Sequence, residues 1–195
     1  GNPQIRRFPD RAVIQCTKAG DGRQERRLPG TVTADQRDAF TRVDLEFDIL
    51  DSHTSVRARM VVKRNPKAEA CDTLQLDGSA ELVAVRLDGE ALAPSAWTLA
   101  DEVLTLPGVP ESFILDIETR LEPAANTSLM GLYASNGNLY TQCEPEGFRK
   151  ITYYLDRPDV MAKFSTTLIA DRQRGAADIG PQGRIEGQGL DAQAT

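Results

Sequence analysis

VDLEFDI, residues 43–49, sets Val43, Leu45, Phe47 and Ile49 against Asp44, Glu46 and Asp48. Strict alternation with period 2 sends one face of an extended strand into a core and the other into water. The next run repeats it, with Val56, Ala58, Met60 and Val62 against Arg57, Arg59 and Lys63. So does the run carrying Phe113, Leu115, Ile117, Thr119 and Leu121. Shorter strands are predicted over residues 73–76, 81–87, 97–100 and 103–106, and a late one over 164–170. The dipeptides Asp77-Gly78, Asp88-Gly89, Pro107-Gly108 and Asn136-Gly137 punctuate them as turns. No long stretch carries a helical apolar period. One short helix is expected over 159–163, behind Pro158. Closely spaced short strands predict an all-β protein: a meander, a sandwich or an open curved sheet.

The flanks read differently. Residues 1–40 lack a period and hold eight basic against five acidic residues, inside a chain of net charge −6. They are expected to form an irregular arm, with one short strand at 11–16. Residues 175–195 are rich in Gly, Gln and Ala, with a weak hairpin expected at Pro181-Gln182-Gly183 and a return strand over 184–188. The chain reads as one that stops abruptly, as a fragment would.

At 195 residues the chain is long enough for a core without staples. Its acidic balance argues against nucleic acid, which needs a concentrated positive surface. The three cysteines, Cys16, Cys71 and Cys143, are odd in number and widely spaced, so no disulfide framework follows and a reduced cytoplasmic setting fits. No apolar run approaches the roughly 18 residues of a membrane span.

Candidate chemistry concentrates in LYTQCEPEGFRKITYYLDRPD, residues 139–159. If residues 140–144 form a strand, Gln142 and Glu144 share one face and Cys143 takes the other, as a small buried apolar group. A Gln carbonyl beside a Glu carboxylate is an acceptor-rich patch that suits an ammonium group, with three donors and no acceptor. The same residues equally describe surface charges at a strand end. Pro145 interrupts the ladder and turns Glu146 away. Tyr153 and Tyr154 read as closing a core edge, Trp97 as a core or sheet-face residue. Arg149 and Arg157 with Asp156 and Asp159 read as ion pairs fixing a turn. His53, the one histidine, sits in the turn Asp51-Ser52-His53-Thr54. No His-Glu-x-x-His or zinc-spaced cysteine pair is present, and Cys143 has no base beside it. No catalytic residue and no metal ligand is therefore assigned to this chain.

Residues 123–127, 131–133, 140–144, 146–149 and 151–160 together resemble bacterial aminopeptidase N, of the gluzincin zinc metalloaminopeptidases. The likeness extends over residues 41–195 and lies in that family's saddle-like N-terminal domain of open curved antiparallel sheets. It implies that Gln142 and Glu144 bind the free α-amino group of a peptide. It also implies zinc in the parent enzyme, bound outside this chain by a catalytic domain of the same polypeptide. The chain alone is then expected to be inactive, with a peptide N-terminus as its small partner and neither nucleic acid nor membrane. The alternative reading is a non-catalytic β-sheet interaction module.

Overall fold

The computed structural model describes residues 4–8, 11–17, 38–64, 72–144, 146–157, 160 and 162–171. The expected tail hairpin lies outside them; of the expected helix over 159–163, Asp159 and Met161 lie outside, Val160 and Ala162 are not helical, and Lys163 opens a strand instead. The strands are β1 Gln4–Phe8, β2 Arg11–Thr17, β3 Asp38–Ile49, β4 Thr54–Arg64, β5 Leu74–Asp77, β6 Glu81–Leu87 and β7 Glu90–Ala91. They continue as β8 Thr98–Ala100, β9 Val103–Leu106, β10 Ser112–Leu121, β11 Gly131–Ser135, β12 Asn138–Gln142 and β13 Lys163–Asp171. The helical segments among the described residues are two short 3-10 turns, Pro94–Ala96 and Phe148–Lys150. None is long and apolar enough to cross a membrane.

Eight strands form an open sheet in the order β1-β2-β13-β3-β4-β10-β6-β7, with β1 and β7 at its edges. A three-stranded sheet runs β5-β9-β8, and β11 and β12 form a hairpin of their own. The all-β class and the open sheets match the expectation. Pairing is antiparallel except where β13 runs parallel to β3. Parallel neighbours require a long crossover, and here everything from β4 to the site segment lies between them. Near the N-terminus β1 and β2 make a hairpin, and β2 pairs with β13. The sequence hinted at β2 alone.

Alternation decides the two faces of the large sheet. Val43, Leu45 and Phe47 of β3, Val56, Ala58, Met60 and Val62 of β4, and Phe113, Leu115 and Ile117 of β10 are buried. They join one apolar cluster with Leu74 and Leu76 of β5, Leu104 and Leu106 of β9, and Phe148, Ile151, Tyr153 and Tyr154. On the opposite face, charges pair across strands: Arg57 with Glu46 at 3.3 Å, Arg59 with Asp116 at 3.5 Å, and Arg86 with Glu118 at 3.5 Å. Such cross-strand pairs contribute tenths of a kcal/mol each, and they keep a flat face soluble. A bulge between Glu118 and Thr119 shifts the register of β10 on β6, where Val83 stands exposed.

Asp88-Gly89 and Asn136-Gly137 close hairpins as read, with φ of 49° and 89°, and 51° and 82°. These are the left-handed pairs that two-residue hairpin turns demand. The β8–β9 hairpin turns on Asp101 and Glu102, at φ 51° and 62°, which no turn dipeptide announces. Asp77-Gly78 is not a hairpin. Its glycine makes room: a Cβ there would lie 2.3–2.6 Å from the Tyr153 ring. Tyr153 is 1% exposed and its hydroxyl donates to the Ala80 carbonyl at 3.0 Å, so the ring cannot swing aside. Gly78→Ala is expected to destabilise the fold by about 1–3 kcal/mol, read as a lower denaturant midpoint at unchanged m-value.

Candidate functional site

The β11–β12 hairpin brings the candidate residues to the protein surface. Tyr133 and Tyr140 pair across it with rings stacked 5.6 Å apart. β12 ends at Gln142, two residues short of the expected strand, so Glu144 stands in a turn and not on a shared strand face. The next residue, Pro145, has no N–H to continue a ladder. Burial still alternates: Gln142 is half-buried, Cys143 is 1% exposed, and Glu144 is exposed. Neither the Gln142 amide nor the Glu144 carboxylate has a hydrogen-bond or ion-pair partner among the described residues.

The turn after Gln142 is tightly folded. A Cβ on Gly147 would lie 2.9 Å from the Glu144 carbonyl oxygen, 2.9 Å from Met130 Cε and 3.0 Å from Cys143 Cα. Only a residue without a side chain lets the backbone close on itself there. The neighbouring loop is braced by Asn126, whose Nδ2 donates to the carbonyls of Met130 at 2.8 Å and Leu132 at 2.9 Å. Its Oδ1 accepts from the Ser128 N–H at 3.0 Å.

Arg149 ties this turn to the core. Its backbone N–H and its Nε both donate to Asp156 Oδ2 at 3.0 Å. Its Nη2 donates to Glu146 Oε2 at 3.0 Å and to the Asp156 carbonyl at 3.3 Å. Asp77, at the end of β5, lies 3.9 Å from the same nitrogen. Asp156 is 0% exposed. Burial alone would lower the Arg149 pKa; the hydrogen bond to Asp156 and the charges of Asp77, Asp156 and Glu146 outweigh it and carry it above its ordinary value. Backbone bonds complete the join: Ser79 N–H to Arg149 O at 2.9 Å, and Asp77 and Tyr154 exchanging two bonds at 2.8 and 2.9 Å. The expected Arg149–Asp156 pair is therefore present. Asp159 lies outside the described residues. The roles of Asp77, Asn126 and Gly147 were missed; an Asn two residues before Ser128 is an Asx-turn signal that could have flagged one of them.

Other chemistry finds little support. His53 lies in its turn with Nδ1 2.9 Å from Ser52 Oγ. Among the described residues no group of three or more His, Cys, Asp or Glu is arranged to hold a metal ion. Burial, then the nearby charge of Asp156, pushes the Cys143 thiol up to about 12. It packs as an apolar residue and is no nucleophile near neutral pH.

Residues 41–180 match the family model described as Peptidase M1 N-terminal domain. This chain belongs to the peptidase M1 N-terminal domain family. It is 45% identical over 134 residues to aminopeptidase N of Escherichia coli (strain K12), covering 68% of this chain and 15% of that protein. Aminopeptidase N of Caulobacter vibrioides is 41% identical over 134 residues, with the same coverage of 68% and 15%. The chain thus spans about 15% of the length of these relatives. Among solved structures, Legionella pneumophila aminopeptidase A in complex with aspartic acid superposes with a TM-score of 0.66 at 29% identity, over 71% of this chain and 16% of that one. An M1 zinc metallopeptidase from Deinococcus radiodurans shares the fold, with a TM-score of 0.55 at 18% identity over 68% of this chain and 32% of its own.

The state of Cys143 in this M1 domain has a chemical consequence. With the pKa near 12, on the order of one thiol in ten thousand is ionised at pH 8. Cys143 should resist iodoacetamide in the folded protein and react in denaturant, as peptide mapping by mass spectrometry of its own peptide would read. Rapid native labelling would contradict the burial.

Proposed function

We propose that this chain is the N-terminal, substrate-anchoring domain of a zinc aminopeptidase that removes N-terminal residues from peptides. The domain spans residues 41–195, and residues 1–40 form an N-terminal arm whose strands β1 and β2 extend its sheet. Glu144 receives the peptide's α-ammonium and Gln142 adds a carbonyl acceptor beside it. The observation that carries the reading is a contrast between neighbours. Glu146 and Asp156 are both engaged by Arg149, whereas Glu144 is exposed with no partner among the described residues.

Physical chemistry then supplies selectivity. A peptide amino terminus has a pKa of about 7.7–8.0 and is largely protonated at neutral pH. A charge-assisted hydrogen bond to a carboxylate holds it. An internal peptide carries no charge there and leaves the acceptors unpaired, which penalises endopeptidase binding. The described residues do not fit a zinc site, so the metal and its ligands belong to a catalytic domain of the same polypeptide, and no bond-breaking step is assigned to this chain. The cysteine usage, with Cys143 free and buried, fits a cytoplasmic enzyme.

Two experiments test the proposal. The purified chain with added zinc should not turn over an aminoacyl chromogenic substrate; turnover above that of a Glu144→Ala control would overturn the division of labour. In the full-length enzyme, Glu144→Gln should raise KM about 10- to 100-fold with kcat little changed, because a hydrogen bond to a charged group contributes about 1.5–3 kcal/mol to ground and transition states alike. An unchanged KM would remove Glu144 from the anchor.

A further inference from the structure

Two glutamates stand two positions apart in the turn after β12, and their surroundings differ. Chain geometry keeps the Cα atoms of such residues within about 7 Å. Two free carboxylates this close would make a site for two positive charges. Glu146, however, receives Arg149 Nη2 at 3.0 Å. An exposed ion pair is ordinarily weak, because two long side chains must be held in place. Here the guanidinium is already fixed. Asp156, 0% exposed, accepts from Arg149 Nε and backbone N–H at 3.0 Å, and Asp77 approaches to 3.9 Å. A planar fork pinned on one side presents its remaining N–H groups to Glu146 with little further ordering. Glu144 has no such cation among the described residues.

We propose that Arg149 is a specificity-determining residue: by taking up Glu146 it leaves the turn with one uncommitted carboxylate, so the anchor binds a single ammonium and gains nothing from a second positive charge beside it. This rests on the anchoring role of Glu144 proposed above. Arg149 itself touches no substrate. It sets the charge of the site by occupying a neighbour.

The test uses the zinc-loaded full-length enzyme and two competitive inhibitors, n-butylamine and 1,4-diaminobutane, which share a four-carbon chain and differ by one ammonium. In the unaltered enzyme their inhibition constants should lie within about twofold of each other. Arg149→Met combined with Asp156→Asn frees Glu146 without stranding a buried carboxylate, and should favour the diamine by about threefold or more, within the range of an exposed ion pair. Adding Glu146→Gln should abolish that preference. Arg149→Lys, which keeps the charge and loses the fork, should shift the ratio part-way and carries the test if the double variant does not fold. A purely structural Arg149 would weaken both amines equally and show no dependence on Glu146; that result overturns the inference, as does a diamine preference surviving Glu146→Gln. A Glu144→Gln control that leaves n-butylamine inhibition unchanged overturns the anchoring role itself. A tenfold loss in that control with an unmoved diamine ratio overturns this inference alone.

Discussion

The ion pair between Arg149 and the wholly buried Asp156 is the constraint on which the site depends. Removing two charges from water is expensive, and a buried pair is often no more stabilising than apolar residues of equal volume. Its contribution is therefore one of placement. Asp156 grips both the backbone N–H and the side chain of Arg149. The Arg149 carbonyl then receives Ser79, and its guanidinium reaches Asp77 at the end of β5. A surface turn is thereby joined to the three-stranded sheet at several points. Loss of Asp156 would leave Arg149 with Asp77 and Glu146 alone, and loss of Arg149 would break the Nε bond that fixes Asp156 to this turn.

That rigidity has to be transmitted through the core. Phe148, the residue before Arg149, packs edge-on against Tyr154 at 5.1 Å and against Phe164 of β13 at 5.8 Å. Thr119 of β10 donates its hydroxyl to the Ile151 carbonyl at 2.7 Å. The segment between β12 and β13 is thus clasped by both sheets, through rings that allow few alternative packings. A loop held in this way behaves as part of the scaffold. Precise placement of a polar group needs such support, because a group displaced by an ångström loses most of a directional hydrogen bond.

The long strands were legible because one signal sufficed. In β3, β4 and β10 apolar residues recur at every second position over Val43–Phe47, Val56–Val62 and Phe113–Ile117, and the core buries them. Asn136-Gly137 and Asp88-Gly89 were legible because their backbone conformations exclude most other residues. The failures share a cause. The extent of β12 was overread, since Thr141, Gln142 and Cys143 continue an extended pattern until Pro145 ends it. The turn at Asp101 and Glu102 puts two non-glycine residues in the left-handed region, where Asp is enriched and Glu is not, so the pair carries no turn-dipeptide signal. The β3–β13 parallel pair joins residues more than a hundred positions apart, and no local periodicity encodes a partner. Asp77-Gly78 has the composition of a turn dipeptide, whereas Asp77 serves as a backbone bridge to Tyr154 and as a second acid for Arg149.

Periodicity places Gln142 and Glu144 on one strand face, and the structure does not keep them on a shared strand. A strand through residue 144 would have aligned them by alternation; the chain instead leaves the strand and folds the next residues around Gly147. Alternation is a property of extended backbone and weakens once a strand ends. What separates Glu144 from Glu146 is the company each keeps. One carboxylate faces a pinned cation, and the other faces solvent. Composition counts those residues as equals, and only the tertiary arrangement distinguishes a carboxylate paired with a guanidinium from one exposed to solvent.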